Sequence, residues 1–188
     1  MTKFAVHTKD NHPDHAHDIL TKVEGSYGFV PNLLGIMSES PEVAETYMFM
    51  ANALKNTNFT DEELHVVWFT VNVFHDCNYC MAAHSAIATM DKIPATTIEA
   101  ARTNADYDDP RLQALKIFTI KMLEGRGWVD GTVVEAFLAA GFTNRTVLDV
   151  ILTISHKTLS NYINHVAQTP VDKAFAPFAW APNAIAAE

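Results

Sequence analysis

Apolar residues recur three and four positions apart along most of this chain, the period of an amphipathic helix. Val43, Tyr47, Met50 and Leu54 mark one such face. Ahead of them, Ser40-Pro41-Glu42 supplies a capping serine, a proline at the first helical position and an acid in the first turn. Asp109-Pro110 opens a second face through Leu112, Leu115, Ile117, Phe118 and Met122, ending near Gly125. Asp130 opens a third, through Val134, Phe137 and Leu138 to Gly141. Thr143-Asn144-Arg145 begins a last long helix through Val147, Val150, Ile151, Ile154 and Leu159 to about Gln168. Shorter helices are expected from Pro13 to Glu24, closed by Gly25, and from Thr97 to Arg102, with Pro31 placed to start another.

One stretch resists this period. Val66-Val67-Trp68-Phe69-Thr70-Val71-Asn72-Val73-Phe74 is β-branched and aromatic, and propensity alone makes it a strand. Thr60 and Glu63, however, form a capping-box pair just ahead of it. No second convincing strand exists for it to pair with, so it reads as a buried helix. Asp76 is then the expected N-cap of a helix over Cys77–Met90, broken by Asp91-Lys92-Ile93-Pro94. The expected architecture is all-α. Residues 1–13 form a polar, His-rich arm (His7, His12, then His15 and His17 beyond it), expected to be a solvated arm rather than a loose metal site because no framework fixes the ligands. Residues 14–169 form one helical domain. Residues 170–188 form an extended tail with Phe175, Phe178 and Trp180, expected to dock on the domain or on a neighbouring subunit.

Composition narrows the class. The 188 residues are 48% hydrophobic, enough for a real core. No apolar run approaches a membrane span and the start lacks an apolar leader, so the expectation is a cytoplasmic chain without a membrane partner. Thirteen basic against 22 acidic residues give a net charge of −9, and no basic stripe offers itself to nucleic acid. Two cysteines in such a chain are no disulfide scaffold.

Those two cysteines lie together. Cys77, Cys80 and His84 stand at i, i+3 and i+7, within roughly 60° of one helix face. In a first helical turn the unpaired backbone N–H groups and the helix dipole favour a thiolate, and an imidazole one turn on can exchange protons near neutrality. Three readings are open: a redox dithiol, a zinc site completed by His84 with His65 or His75, and two small buried residues without a role. Haem attachment needs a histidine where Met81 stands. A thioredoxin-type site needs alternating strands and helices, which this chain lacks.

Cys77-Asn78-Tyr79-Cys80-Met81-Ala82-Ala83-His84-Ser85 resembles the C-x-x-C-x-x-x-H motif of the AhpD-like alkylhydroperoxidases, in the carboxymuconolactone decarboxylase superfamily. Gly28-Phe29-Val30-Pro31-Asn32 and Thr158-Leu159-Ser160-Asn161-Tyr162-Ile163-Asn164-His165, followed by Thr169-Pro170, also resemble its uncharacterised peroxidase-related members. The resemblance spans roughly residues 25–175. It implies an AhpD-like helical bundle that assembles into homo-trimers or hexamers. It also implies a peroxidase cycle with no cofactor beyond a Cys77–Cys80 disulfide, run on a hydroperoxide and an external dithiol reductant. On that pattern Cys80 is the peroxidatic thiolate, Cys77 resolves it, and His84 relays protons. Two positions depart from the family: His65 stands where its relay glutamate is expected, and Tyr79 where a histidine often precedes the second cysteine. His65 is a candidate base, and Tyr79, Trp68 and Phe69 are candidate substrate contacts. Asn161, Asn164 and His165 are read as structural. Two other readings are kept: a redox-responsive oligomeric scaffold without turnover, and lactone decarboxylation, which is disfavoured because no arginine stands close to the motif.

Overall fold

A capping box turns the β-branched stretch into the central helix of the molecule. The computed structural model describes residues 4–181, so the first three residues of the arm and the tail from Pro182 onward lie outside the described residues. Thr60 Oγ1 accepts from the Glu63 N–H while the Glu63 carboxylate accepts from the Thr60 N–H, and α4 (Asp61–Phe74) starts there. Val66, Val67, Phe69 and Val71 are completely buried, because α4 packs against neighbours on several sides. A helix apolar on most faces has to be interior.

On α4 pack α5 (Asn78–Met90), α6 (Ala95–Thr103), α7 (Pro110–Glu124) and α9 (Asn144–Ala167); α8 (Gly131–Ala139) packs on α7, and α1 (His17–Tyr27), α2 (Asn32–Met37) and α3 (Pro41–Leu54) pack on one another, with α2 and α3 against α9. Among the described residues there is no strand, only a single bridge between Thr8 and Asn11. No single described helix is long and apolar enough to cross a membrane. Two apolar clusters form the core. One joins α4 to α7 and α8 and includes the stacked rings of Phe118, Phe137 and Phe142, 4.1 and 4.3 Å apart. The other lies under α1–α3 and contains Cys77, Tyr79 and Cys80. The long helix α9 touches both halves, packing on α2, α3, α4, α5 and α7.

Several boundaries differ from the sequence expectation. Helix α1 runs through Gly25 and stops at Gly28, whose left-handed φ of 78° lets its N–H close back on Glu24. Asp76 does not cap α5. It adopts φ 52° and turns the chain, which leaves Cys77 as the N-cap residue and Cys80 in the first turn. The tail is not simply extended: Ala176–Phe178 form a short 3₁₀ turn on α5, and Trp180 Nε1 donates to the Arg102 carbonyl at 2.8 Å.

The described arm is largely exposed but is pinned to the domain at one point. His7 is buried, its N–H donates to the Gly35 carbonyl at 3.3 Å, and its ring meets Glu39 at 2.6 Å. The approach is possible because Gly35 has no side chain: a Cβ there would stand 2.5 Å from the His7 carbonyl oxygen. Gly35→Ala is therefore expected to push the arm off α2 at a cost of roughly 1–3 kcal/mol. Denaturant unfolding and limited proteolysis before residue 14 read this out, and an arm as protected as in wild type would contradict it.

Candidate active site

Two helices meet along matching polar faces. On α5 the face is Cys77, Cys80 and His84. On α9 it is Lys157, Ser160 and Asn164, again at i, i+3 and i+7. The helices run antiparallel, so the faces pair end to end. Lys157 Nζ lies 2.7 Å from His84 Nε2. The Ser160 hydroxyl lies 3.8 Å from Cys80 Sγ. The Asn164 amide donates to Cys80 Sγ at 3.2 Å and reaches Cys77 Sγ at 3.9 Å. Both cysteines are free thiols and each is only 1% exposed.

The two thiols are electrostatically unequal. Burial pushes Cys80 up, but the Cys77 thiol donating to it, the positive charge of Lys157 and the polar side chains of Ser160 and Asn161 outweigh this and bring it down to about 5. The hydrogen bond to the sulfur comes from Asn164, whereas the Asn161 amide is committed to Asn72 Oδ1 at 3.0 Å. Cys77 moves the other way: it gives its S–H to Cys80, and burial keeps it protonated. The pair is one thiolate and one thiol sharing a proton donor–acceptor contact.

His84 is held neutral. Burial pushes its pKa well below the usual value, with the charge of Lys157 adding to it. Lysine has only N–H to offer, so the Nε2 facing it accepts and the ring proton sits on Nδ1. Next along α9, His156 stacks on Tyr47 with ring centroids 4.2 Å apart. Neither of its nitrogens has a hydrogen-bond partner among the described residues, and burial pushes it down to about 3.

The remaining sequence candidates are placed as follows. His65 is buried one layer behind His84, with ring centroids 6.4 Å apart, and its Nε2 meets the half-exposed Asp91 carboxylate at 3.0 Å. Burial lowers its pKa, against the pull of Asp91. Trp68 packs on His84 at 4.8 Å. Phe69 faces away, in the α4–α7 core, rather than toward the thiols. Tyr79 lies in the thiol cluster, and its hydroxyl donates to Asp172 at 2.6 Å. Asp172 also accepts the Asn32 N–H at the start of α2, at 3.1 Å, so the tail is fastened beside the site. Phe175 comes three residues later and packs edge-on to Tyr79. Glu63, near the expected family glutamate, is committed to the capping box and to Arg111 Nε at 2.6 Å.

The imidazoles do not gather around the sulfurs. His84 Nε2 is occupied by Lys157 and His65 Nε2 by Asp91. Among the described residues no group of three or more His, Cys, Asp or Glu is arranged to hold a metal ion.

Sequence reasoning missed Lys157 and read Asn164 as structural. A signal was present: Val150, Thr153, Lys157, Ser160 and Asn164 form one heptad-spaced stripe, all buried. A stripe that starts apolar and turns polar on the core side of a helix marks a polar interior. An arginine also touches the motif helix, contrary to the reading that none is near. Arg102, distant in sequence, donates to Ser85 Oγ at 2.9 Å and to the Phe178 carbonyl at 3.1 Å, holding the tail rather than the thiols.

No family model matches the chain, and no curated protein matches it. Solved structures do. An uncharacterised peroxidase-related protein from Ralstonia eutropha, described as an alkylhydroperoxidase AhpD core, is similar with a TM-score of 0.79 at 24% identity, over 96% of this chain and 97% of that one. A peroxidase-related protein from a Silicibacter species gives 0.72 at 18% identity, over 87% of each chain. The debrominase Bmp8, as a cysteine-to-alanine variant in complex with 2,3,4-tribromopyrrole, gives 0.76 at 15% identity, over 95% of this chain and 96% of that one. At these identities the likeness establishes the fold.

Proposed function

We propose that this chain, which has the all-α AhpD-like fold, is a thiol-dependent peroxidase that reduces organic hydroperoxides through a Cys77–Cys80 dithiol–disulfide cycle. The observation that carries the reading is the inequality of the two buried thiols. Cys80 accepts an amide hydrogen bond at 3.2 Å and is held as a thiolate, beside a Cys77 that keeps its proton. A peroxidatic and a resolving thiol need this division of labour. The thiolate attacks the terminal peroxide oxygen, the O–O bond breaks, and Cys80 becomes a sulfenic acid. Cys77 displaces water from it to form the disulfide, and an external dithiol restores both thiols. His84, one turn beyond Cys80, serves the proton path by accepting from the Lys157 ammonium. Trp68, packed on His84, and Tyr79, in the thiol cluster, are the substrate contacts in this reading.

Assembly into a homo-oligomer belongs to the same reading. Leu148, Ile151, Tyr162 and Val166 form an exposed stripe on α9, within roughly 60° of arc and opposite the thiol face. A second copy would cover that stripe.

The same dithiol favours a second reading, reductive dehalogenation, because the debrominase likeness extends over nearly the whole chain. There a carbon–bromine bond is replaced by carbon–hydrogen, bromide leaves, and the thiols end as the same disulfide.

Thiol titration of the native protein, before and after one equivalent of cumene hydroperoxide, tests the proposal. Rapid loss of both thiols, recovery with dithiothreitol and catalytic peroxide consumption are expected. Loss and recovery without turnover would leave a redox-responsive scaffold. Thiols that survive hydroperoxide yet release bromide from a bromopyrrole would move the activity to dehalogenation.

A further inference from the structure

Lys157 is the most unusual charge in the molecule. It is 1% exposed, lies on the α9 face that touches both sulfurs, and its ammonium meets a neutral imidazole rather than a carboxylate. Among the described residues no Asp or Glu oxygen pairs with it, whereas Lys9, Lys22 and Lys121 pair with Glu24, Glu45 and Glu124, and the other buried lysine, Lys116, gives its ammonium to the Asn104 and Ala105 carbonyls. A buried ammonium without a counter-charge costs several kcal/mol. Among the described residues the anion at hand is the Cys80 thiolate, because burial keeps the Tyr47 and Tyr79 hydroxyls protonated. The groups that face Cys80 are Cys77 and Tyr79 from α5, Tyr47 from α3, and Lys157, Ser160 and Asn164 from α9. Lys157 is the one cation in that set.

Resting on the peroxidase reading, we infer that Lys157 is a catalytic residue of this site: it is the counter-ion of the Cys80 thiolate and the acid that protonates the departing alkoxide, with His84 as the positioning acceptor that aims its ammonium. The cycle balances on that assignment. Cys80 sulfur takes the terminal OH of ROOH, and RO⁻ leaves and takes a proton from the Lys157 ammonium, giving ROH, a sulfenic acid and a neutral amine. The Lys157 amine takes the Cys77 thiol proton. The Cys77 sulfur attacks the sulfenic sulfur, and the departing hydroxide takes that proton back as water. The external dithiol then delivers two protons and two electrons. One proton returns to Cys77 and the other to Lys157, and the dithiol leaves as its disulfide. His84 does not have to be cationic at any step, which agrees with its neutral, Nδ1-protonated form.

Two substitutions separate charge from proton donation. Lys157→Met removes both, and Lys157→Arg keeps the charge on a group that does not give up its proton. The first readout needs no peroxide: the pH midpoint of Cys80 alkylation by iodoacetamide, followed by peptide mass spectrometry. Wild type is expected to alkylate with a midpoint well below that of a free thiol, near pH 8.5. Lys157→Met should raise the midpoint by about two pH units or more, and Lys157→Arg should leave it within about half a unit. The second readout is single-turnover reaction with cumene hydroperoxide, where Lys157→Arg should be slowed at least ~10-fold despite its intact thiolate.

A folded Lys157→Met with the wild-type midpoint would overturn the counter-ion assignment. If that variant does not fold, the wild-type midpoint decides, since a value at or above that of a free thiol overturns the assignment equally. Lys157→Arg reacting with peroxide at the wild-type rate would overturn proton donation. A wild type inert to hydroperoxide, yet with a low Cys80 midpoint that Lys157→Met abolishes, would sink the peroxidase reading and the donation step. It would uphold the ion pair.

Discussion

Cys80→Ser is expected to abolish peroxide-driven thiol loss and to lower hydroperoxide turnover by at least ~10³-fold. Cys77→Ser is expected to stop the cycle one step later. The reason is the asymmetry of the pair. Cys80 is brought down to about 5 by its hydrogen-bond donors and the charge of Lys157, so it reacts as a thiolate at neutral pH. Cys77 gives up its S–H to Cys80 and is pushed up, so it waits as a thiol. Without Cys77 the first attack still occurs, and the sulfenic acid formed on Cys80 has no thiol beside it. Dimedone trapping and mass spectrometry read this directly. One adduct on Cys80 is expected in Cys77→Ser, and none in Cys80→Ser. A dimedone adduct on Cys77 in Cys80→Ser, at a rate matching wild-type oxidation, would reverse the assigned roles.

Acid is expected to unfold this protein from about pH 6.5 downward, and His156→Phe to flatten that response. His84, His156 and His65 are all buried with folded pKa values depressed from the ordinary 6.5, His156 to about 3. A group depressed on folding contributes stability that is complete above its unfolded pKa and is lost as pH falls toward its folded one. The unfolded chain takes up the proton first, at a cost to stability of up to about 1.4 kcal/mol per pH unit for each group. Cys80 works in the same direction over a higher window, from its ordinary 9.0 down to about 5. Cys77, raised on folding, opposes only above the ordinary thiol range. Stability is therefore expected to peak on the alkaline side of neutrality. By pH 4 the combined loss is on the order of 5 kcal/mol, comparable with the whole stability of a small domain. Denaturant midpoints at pH 7.5, 6, 5 and 4 measure it. His156→Phe keeps the stack on Tyr47 and removes two buried ring nitrogens without protein partners, so it should hold or gain stability at pH 7.5 and lose less on acidification. Equal slopes for wild type and variant would show that His156 does not carry the effect.

Some of the site was legible in the chain because it is local. Cys77, Cys80 and His84 needed only the helical period to share a face. The capping pair Thr60 and Glu63 was enough to outvote eight β-branched and aromatic residues, because a satisfied helix start decides the conformation of the residues after it. The turn at Asp76 was less legible. Asp is a good N-cap by type, but the tight reversal between α4 and α5 takes it into the left-handed region and hands the cap position to Cys77. Gly25 was misread for a similar reason: a glycine ends a helix only where the chain needs a positive φ, and that need falls at Gly28.

Local chemistry was sufficient for the all-helical class, for the helix starts at Ser40, Thr60, Asp109, Asp130 and Thr143, and for a cysteine pair at a helix start. Each of these rests on hydrogen bonds and periods that close within a few residues. Which thiol is charged depends instead on the packing of distant helices. Lys157, Ser160 and Asn164 stand some eighty residues away and meet the sulfurs because α5 and α9 run antiparallel in register. The same packing put Phe69 in the core, turned His65 to Asp91, and laid the arm on Gly35. Electrostatic and packing energies act through space, and no local pattern in the chain encodes which distant residues will be brought within 4 Å.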